Sequence, residues 1–379
     1  MQYREFGRLD WKPSALGFGA MRLPTQGDES GNIDEERAIK MIRYAIDQGV
    51  NYVDTAWPYH DENSEKLVAR ALKDGYREKT RIATKLPSWL IEEPGDMDQY
   101  LDKQLNRLEV DQIDFYLLHT LNHKYWESLK EVGVFEWLDK VQTEGKIAHP
   151  GFSFHDDLGV FKDIVDSYDW TFCQIQYNYL DREFQAGTEG LKYASSKGLG
   201  VVVMEPLRGG KLAAEPPEEI KEIWSKAEEE RGSVSWALNW LWDQPEVSVV
   251  LSGMSTLDQV KENVELADSS GVNQLSEKEI RLMEKAGEKY HELSPVGCTG
   301  CNYCTPCPND VEIPSNFQLY NEAEVYGKFE ENKKSYYKFL NDEQRASACI
   351  ACGQCEEMCP QNLEIIDLLS ETASYFGDT

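Results

Sequence analysis

Eight short apolar runs, separated by longer amphipathic stretches at intervals of about 25–35 residues, set the strongest constraint on how this chain folds. The runs occupy residues 15–19, 51–54, 81–84, 113–118, 149–153, 171–176, 200–204 and 247–251, and we read each as a strand. The stretches between them carry helical periodicity: over 35–48 the apolar positions are Ala38, Ile39, Ile42, Ala45 and Ile46, and 97–107 follows suit. Turn signals punctuate the series at Asp47-Gln48-Gly49, Lys73-Asp74-Gly75, Glu144-Gly145 and Ser196-Lys197-Gly198. Strands that alternate with helices run parallel, because a parallel pair needs a crossover long enough to hold a helix. Eight such units in about 270 residues predict an α/β chain closed into a (β/α)8 barrel rather than an open doubly wound sheet. No Gly-x-Gly-x-x-Gly follows the first run, where Leu16-Gly17-Phe18-Gly19-Ala20 opens no helix, so a Rossmann nucleotide domain is not expected. A short hairpin (3–6 and 12–14) precedes the barrel. Helices at 257–267 and 277–290 follow it, and Ser294-Pro295-Val296-Gly297 marks a boundary. We read 1–292 as the barrel and 293–379 as a second domain.

In such a barrel the chemistry sits just past the C-terminal ends of the strands. Four polar residues meet that condition. Asp54 ends the second strand and Tyr59 follows it; Lys85 ends the third; His119 ends the fourth. Together they suit carbonyl reduction. A phenol must donate a proton as hydride arrives, yet its ordinary pKa is about 10. A neighbouring ammonium stabilises the phenolate, an aspartate keeps that ammonium charged and oriented, and a histidine can hydrogen-bond the carbonyl oxygen where negative charge develops. Trp57, Trp89, Tyr125 and Trp126 are expected on loops near strand ends, where they are candidates for a substrate pocket or for ordinary packing.

The block Asn51-Tyr52-Val53-Asp54-Thr55-Ala56-Trp57-Pro58-Tyr59, the contexts of Lys85 and His119, and Leu16-Gly17-Phe18-Gly19-Ala20-Met21-Arg22-Leu23-Pro24 resemble the aldo-keto reductases over roughly residues 1–290. The resemblance implies a hydride-transfer enzyme using NADP(H) or NAD(H) on a small carbonyl or alcohol. Tyr59 would be the general acid/base, Lys85 and Asp54 its tuners, and His119 the substrate orienter. It further implies cofactor contacts from Gly19 and Met21, from Ser153 and Gln174 on the carboxamide, and from Met204, Pro206 and Leu207 around the nicotinamide. Gly253, Met254, Ser255, Gln259, Glu262 and Asn263 would form the adenosine stretch. Phe154 stands where that family carries asparagine, and Gly253 and Gln259 stand where relatives place Lys or Arg on a 2′-phosphate.

The last part of the chain is governed by cysteine. Eight of the nine cysteines fall at 298, 301, 304, 307, 349, 352, 355 and 359, too close together for a secreted disulfide framework. The second quartet, Cys349-x2-Cys352-x2-Cys355-x3-Cys359-Pro360, resembles the run of bacterial ferredoxins, in which three thiolates hold one cluster and the fourth the other. Four-cysteine zinc sites also use Cys-x2-Cys pairs. The first quartet, Cys298, Cys301, Cys304 and Cys307, is one residue shorter before its last member. Both quartets resemble those of two-cluster ferredoxins, which implies a helix-expanded, ferredoxin-like domain with two [4Fe–4S] clusters. By that resemblance Cys298, Cys301, Cys304 and Cys359 hold one cluster, and Cys349, Cys352, Cys355 and Cys307 the other. Cys173, inside an apolar strand, reads as a plain core residue.

Charge narrows the partners. With 68 acidic against 39 basic residues the net charge is −29, a field that repels nucleic acid and anionic lipid. No apolar run reaches a membrane-spanning length, the opening residues lack a signal-peptide plan, and we expect a cytoplasmic protein. Two functions remain to be weighed. One is a nicotinamide-dependent reductase bearing clusters. The other is an iron–sulfur electron-transfer or redox-sensing protein whose barrel binds nicotinamide and serves a redox protein partner. Clusters move single electrons and nicotinamide moves hydride, so direct coupling calls for a flavin, for which the sequence carries no motif.

Overall fold

A computed structural model describes residues 1–27, 30–298, 300, 304–359 and 361–378. Eight strands close into a parallel barrel in sequence order: β1 (Leu16–Gly19), β2 (Tyr52–Asp54), β3 (Arg81–Leu86), β4 (Ile113–Leu121), β5 (Ile147–Phe154), β6 (Phe172–Gln176), β7 (Gly200–Met204) and β8 (Val249–Gly253). The last pairs with the first in register from Leu16↔Val250 to Gly19↔Gly253. The strands are buried almost throughout, as a barrel sheathed in helices requires.

Differences from expectation have local causes. β3 runs on through Lys85 to Leu86, and β4 through His119 to Leu121, so both polar residues lie inside strands rather than ending them. Lys85 tolerates that position because Asp54 neutralises it. β4 shifts register between Leu118 and Leu121, where Thr120 takes a left-handed backbone (φ 55°). In the helix Glu35–Asp47 the buried face is Ala38, Met41, Ile42, Ala45 and Ile46; Met41 replaces Ile39. The helix expected from 97 begins at Pro94, three residues earlier, because Glu93 and Asp96 form a capping box. The opening hairpin is reduced to isolated antiparallel bridges, Tyr3↔Ser14 and Phe6↔Leu9. Those bridges hold Phe6, fully buried, against Tyr52, Phe115 and Phe172, so the hairpin supplies part of the barrel's own core. Cys173 is also fully buried, as a core residue should be.

Contacts divide the chain into two compact units: Met1–Ala213 with Arg231–Ser276, and Ala214–Glu230 with Glu277–Thr379. The second is helical: Glu218–Trp224, Glu277–Leu293, Ile313–Val325, Phe329–Phe339 and Ile365–Phe376, with a short turn of helix at Gln354–Glu357. Its core gathers Val296, Val311, Phe317, Tyr336, Leu369 and Phe376, and six cysteines lie partly buried against it: Cys298, Cys304, Cys307, Cys349, Cys355 and Cys359. Cys352 is exposed. Cys301 lies outside the described residues. None of the described cysteines forms a disulfide. Left-handed residues Ala351 and Gly353 bend the second quartet's loop, and Ala351 N–H donates to Cys349 Sγ at 3.4 Å. No helix is long and apolar enough to cross a membrane among the described residues.

Candidate active site

The barrel mouth is built around one buried ion pair. Lys85 Nζ donates to both oxygens of Asp54 (2.7 and 2.8 Å) and to the Thr55 carbonyl (2.7 Å). Asp54 ends β2 and Lys85 lies on the adjacent β3, so strand pairing brings them together. Burial alone would lower the lysine's pKa, but Asp54 and Tyr59 more than offset this and raise it. Burial also raises the Asp54 carboxyl, against the pull of Lys85. Replacing Lys85 by Met strands Asp54 as an unpaired buried charge, which costs about 3–5 kcal/mol. Thermal unfolding of that variant should show a clear fall in the midpoint, and an unchanged midpoint would refute the ion pair's structural role.

Tyr59 stands over this pair. Lys85 Nζ lies 5.0 Å from the centre of its ring, and the His119 ring lies 6.2 Å away at 78°. Burial raises the phenol's pKa, and the Lys85 charge opposes that rise. The expected lowering by lysine is therefore present but outweighed, and the phenol keeps its proton at neutral pH. Burial, then Lys85 and His155, push His119 well below its ordinary value, so its imidazole is neutral. His119 Nδ1 is buried without a partner.

The turn that presents Tyr59 is held by polar contacts the sequence did not signal. His60, Asp61 and Glu62 are all left-handed (φ 53°, 50° and 64°). Nε2 of His60 accepts from Leu23 N–H (3.1 Å), and its Nδ1 meets the Ser30 carbonyl (2.7 Å). Ser64 Oγ donates to the Ala20 carbonyl (3.0 Å). Behind Lys85, the buried Glu65 accepts from Thr84 Oγ1 (2.7 Å) and Gln104 Nε2 (2.6 Å), and Tyr116 donates to Gln104 (2.7 Å). These residues brace the strand that carries the lysine.

A cavity of about 620 Å³ opens above the tetrad. Asp54, Tyr59 and His119 line it, as do Gly19, Met21, Ser153, Gln174, Met204, Pro206, Leu207, Gly253, Met254, Ser255, Gln259, Glu262 and Asn263. Residues that sequence reasoning missed join them, the ionisable ones being Arg22, His155 and Glu205. The aromatic candidates do not line it. Trp57 is buried against Tyr100 and the Arg107 guanidinium, while Tyr125 and Trp126 belong to the helix His123–Glu131 rather than to a loop. Trp89 comes nearest, its ring 5.2 Å from that of His119. Phe154 packs on Phe161, which leaves the next residue, His155, at the cavity. There burial lowers the His155 pKa to about 4.

The Aldo/keto reductase family model matches residues 15–288. This chain belongs to the aldo/keto reductase family. It is an NAD(P)H-dependent oxidoreductase, and residues 297–364 add a match to the 4Fe-4S dicluster domain. L-galactose dehydrogenase from Arabidopsis thaliana is 28% identical over 311 residues, covering 75% of this chain and 94% of that protein. The NADH-specific methylglyoxal reductase of Escherichia coli is 26% identical over 332 residues, covering 74% and 97%. Among solved structures, the holo form of aldo-keto reductase AKR11C1 from Bacillus halodurans aligns with a TM-score of 0.65 at 27% identity, over 76% of this chain and 96% of that one.

The cavity of this reductase fits a nicotinamide dinucleotide by its own chemistry. Gln174 is buried, its Oε1 has no partner, and its Nε2 meets only the Met204 sulfur at 3.5 Å, so the amide is free to pair with a carboxamide. Ser153 Oγ accepts from Thr120 N–H at 2.7 Å and keeps its own proton to donate. A Cβ on Gly19 would sit 3.3 Å from the Ser252 carbonyl, narrowing the cleft between β1 and β8. In the second unit no three His, Cys, Asp or Glu side chains among the described residues converge as a single metal ion would require. The iron–sulfur assignment therefore rests on cysteine spacing and the matched domain.

Proposed function

We propose that the barrel reduces an aldehyde or ketone, or oxidises the corresponding alcohol, with Tyr59 as general acid/base. The observation that carries this reading is the Asp54–Lys85 pair beside the Tyr59 phenol in a cavity that also holds His119. A reduced nicotinamide, when bound, supplies hydride to the carbonyl carbon. Tyr59 Oη transfers its proton to the carbonyl oxygen, and Lys85 stabilises the phenolate left behind. Neutral His119 donates a hydrogen bond to the same oxygen as charge develops there. Gln174 and Ser153 hold the carboxamide, and Gly19, Met21, Met204, Pro206 and Leu207 shape the nicotinamide end. In the alcohol direction the phenolate takes the proton back.

This assignment predicts a pH profile. Because His119 is depressed, its protonation belongs well below pH 6.5, and because Tyr59 is raised, its ionisation belongs above pH 10. The kcat/KM for carbonyl reduction should stay flat between pH 7 and pH 9, with the acid limb lying below the ordinary histidine range. An inflection near 6.5 that vanishes in His119→Gln would contradict the neutral role given to His119.

The C-terminal domain, from about residue 293, we assign two [4Fe–4S] clusters held by Cys298, Cys301, Cys304 and Cys359 and by Cys349, Cys352, Cys355 and Cys307. Their thiolates and oxygen-sensitive clusters fit a reducing, cytoplasmic setting.

A further inference from the structure

The mechanism above leaves one histidine at the cavity unused. β5 ends at Phe154, and the alternation of side chains along a strand turns Ser153 inward, Phe154 outward onto Phe161, and His155 inward again. The His155 N–H donates to the Leu121 carbonyl (2.9 Å), so the pairing of β4 with β5 carries on through this residue and fixes where its ring starts. His155 lines the same cavity as Tyr59 and His119. After burial and Lys85, His155 is the third influence that keeps His119 neutral, which places the two imidazoles within electrostatic reach of each other. A group held by His155 therefore lies near the carbonyl that Tyr59 and His119 act on.

The ring is held from behind. Gln185, on the loop between β6 and the helix Gly187–Ser196, puts its Nε2 3.2 Å from His155 Nδ1. Its backbone is left-handed (φ 56°), a costly conformation that clusters at functional sites. Its Oε1 is buried without a partner, so the imidazole is the polar group this side chain serves. With Nδ1 taken, Nε2 is the ring nitrogen left for a ligand, and it has no partner among the described residues. The ring is half-buried, and burial lowers its pKa to about 4, so it meets a ligand uncharged. With Gln185 donating to Nδ1, Nε2 carries the ring's proton; with the amide turned over, Nε2 would accept instead. A hydroxyl fits both cases because it donates and accepts. A carboxylate does not fit. Arg22, the one Lys or Arg among the described residues lining the cavity, already faces Glu205 at 3.8 Å, and Glu262 adds a second carboxylate there.

We propose that His155 Nε2 anchors a hydroxyl of the substrate, so that the barrel prefers neutral hydroxylated aldehydes or ketones to plain ones. This inference rests on the carbonyl-reduction reading of the site and names its substrate class. The test compares kcat/KM for glyceraldehyde and for propanal, which differ only by hydroxyls, in anaerobic full-length protein supplied with both NADH and NADPH. Glyceraldehyde should be favoured at least about tenfold, since a site built to hydrogen-bond a hydroxyl rejects the analogue that lacks it. His155→Phe, which keeps a flat ring without its nitrogens, should shrink that ratio about tenfold. His155→Gln, whose amide donates and accepts, should retain part of the preference. Dinucleotide affinity, read by fluorescence titration, should be the same in all three proteins. No preference in the unmodified protein, or one that survives in His155→Phe, overturns the inference while leaving carbonyl reduction intact. Loss of dinucleotide affinity in His155→Phe, with both aldehydes slowed alike, gives the ring to the cofactor and overturns it too. Failure of the unmodified protein to reduce either aldehyde overturns this inference together with the reading on which it rests.

Discussion

Replacing Tyr59 by phenylalanine should lower kcat for carbonyl reduction by about 10²–10⁴-fold, the span that a positioned general acid contributes. The substitution is a clean probe because of how its neighbours are satisfied. Lys85 donates to Asp54 and to the Thr55 carbonyl, so removing the phenol oxygen leaves the ion pair's own hydrogen bonds in place. The ring itself remains to fill the same space. Dinucleotide affinity, measured by fluorescence titration, should therefore hold while turnover collapses. Turnover equal to that of the unmodified chain would remove Tyr59 from the mechanism and leave the proton source unassigned.

The barrel was legible because parallel strands sheathed by helices lose the polar alternation of exposed sheets and stand out as apolar runs. Strand-end position then selected Asp54, Tyr59, Lys85 and His119 from a chain rich in charged residues. The strand ends themselves were less legible. Lys85 and His119 read as terminators because they are polar, yet one is neutralised by an ion pair and the other is held uncharged by burial.

Other parts were hidden for related reasons. Glu65 and Gln104 occupy helix positions that, in sequence, look like any solvated face; only the fold turns them inward to meet Thr84 and Tyr116. Arg22 and Glu205 lie on loops after different strands, so nothing in their spacing announces an ion pair across the cavity. Trp57 was open to either a pocket or a packing role, and its ring packs on Tyr100 and the Arg107 guanidinium. Gln259 lines the cavity and also caps the helix Leu257–Ser269 with Thr256, a second role that their capping-box spacing signals. In the C-terminal domain the cysteine spacing was the whole signal.

Loss of the clusters should unfold the C-terminal domain and leave the reductase running. Before treatment, anaerobic protein should contain about eight iron and about eight sulfide per chain, the content of two cubanes; stoichiometric zinc in their place would overturn the assignment. The domain's apolar core is small, and six of its cysteines lie partly buried against that core beside Val296, Phe317 and Phe376. Where ligands come together only in the folded chain, the free energy of metal binding is free energy of folding. Chelation of the iron, or the paired substitution Cys349→Ser with Cys355→Ser, should therefore abolish the helical signal of that domain. Carbonyl reduction should survive, because in the mechanism proposed above Tyr59 supplies the proton and the electron pair arrives as hydride, with no single-electron step for a cluster to serve. Helicity that withstands complete iron removal would show that the clusters do not brace the domain. Reduction that fails in step with the iron would tie the clusters to turnover, through an additional two-electron to one-electron carrier or through the barrel's own stability. Flavin analysis and the barrel's unfolding midpoint separate those two causes.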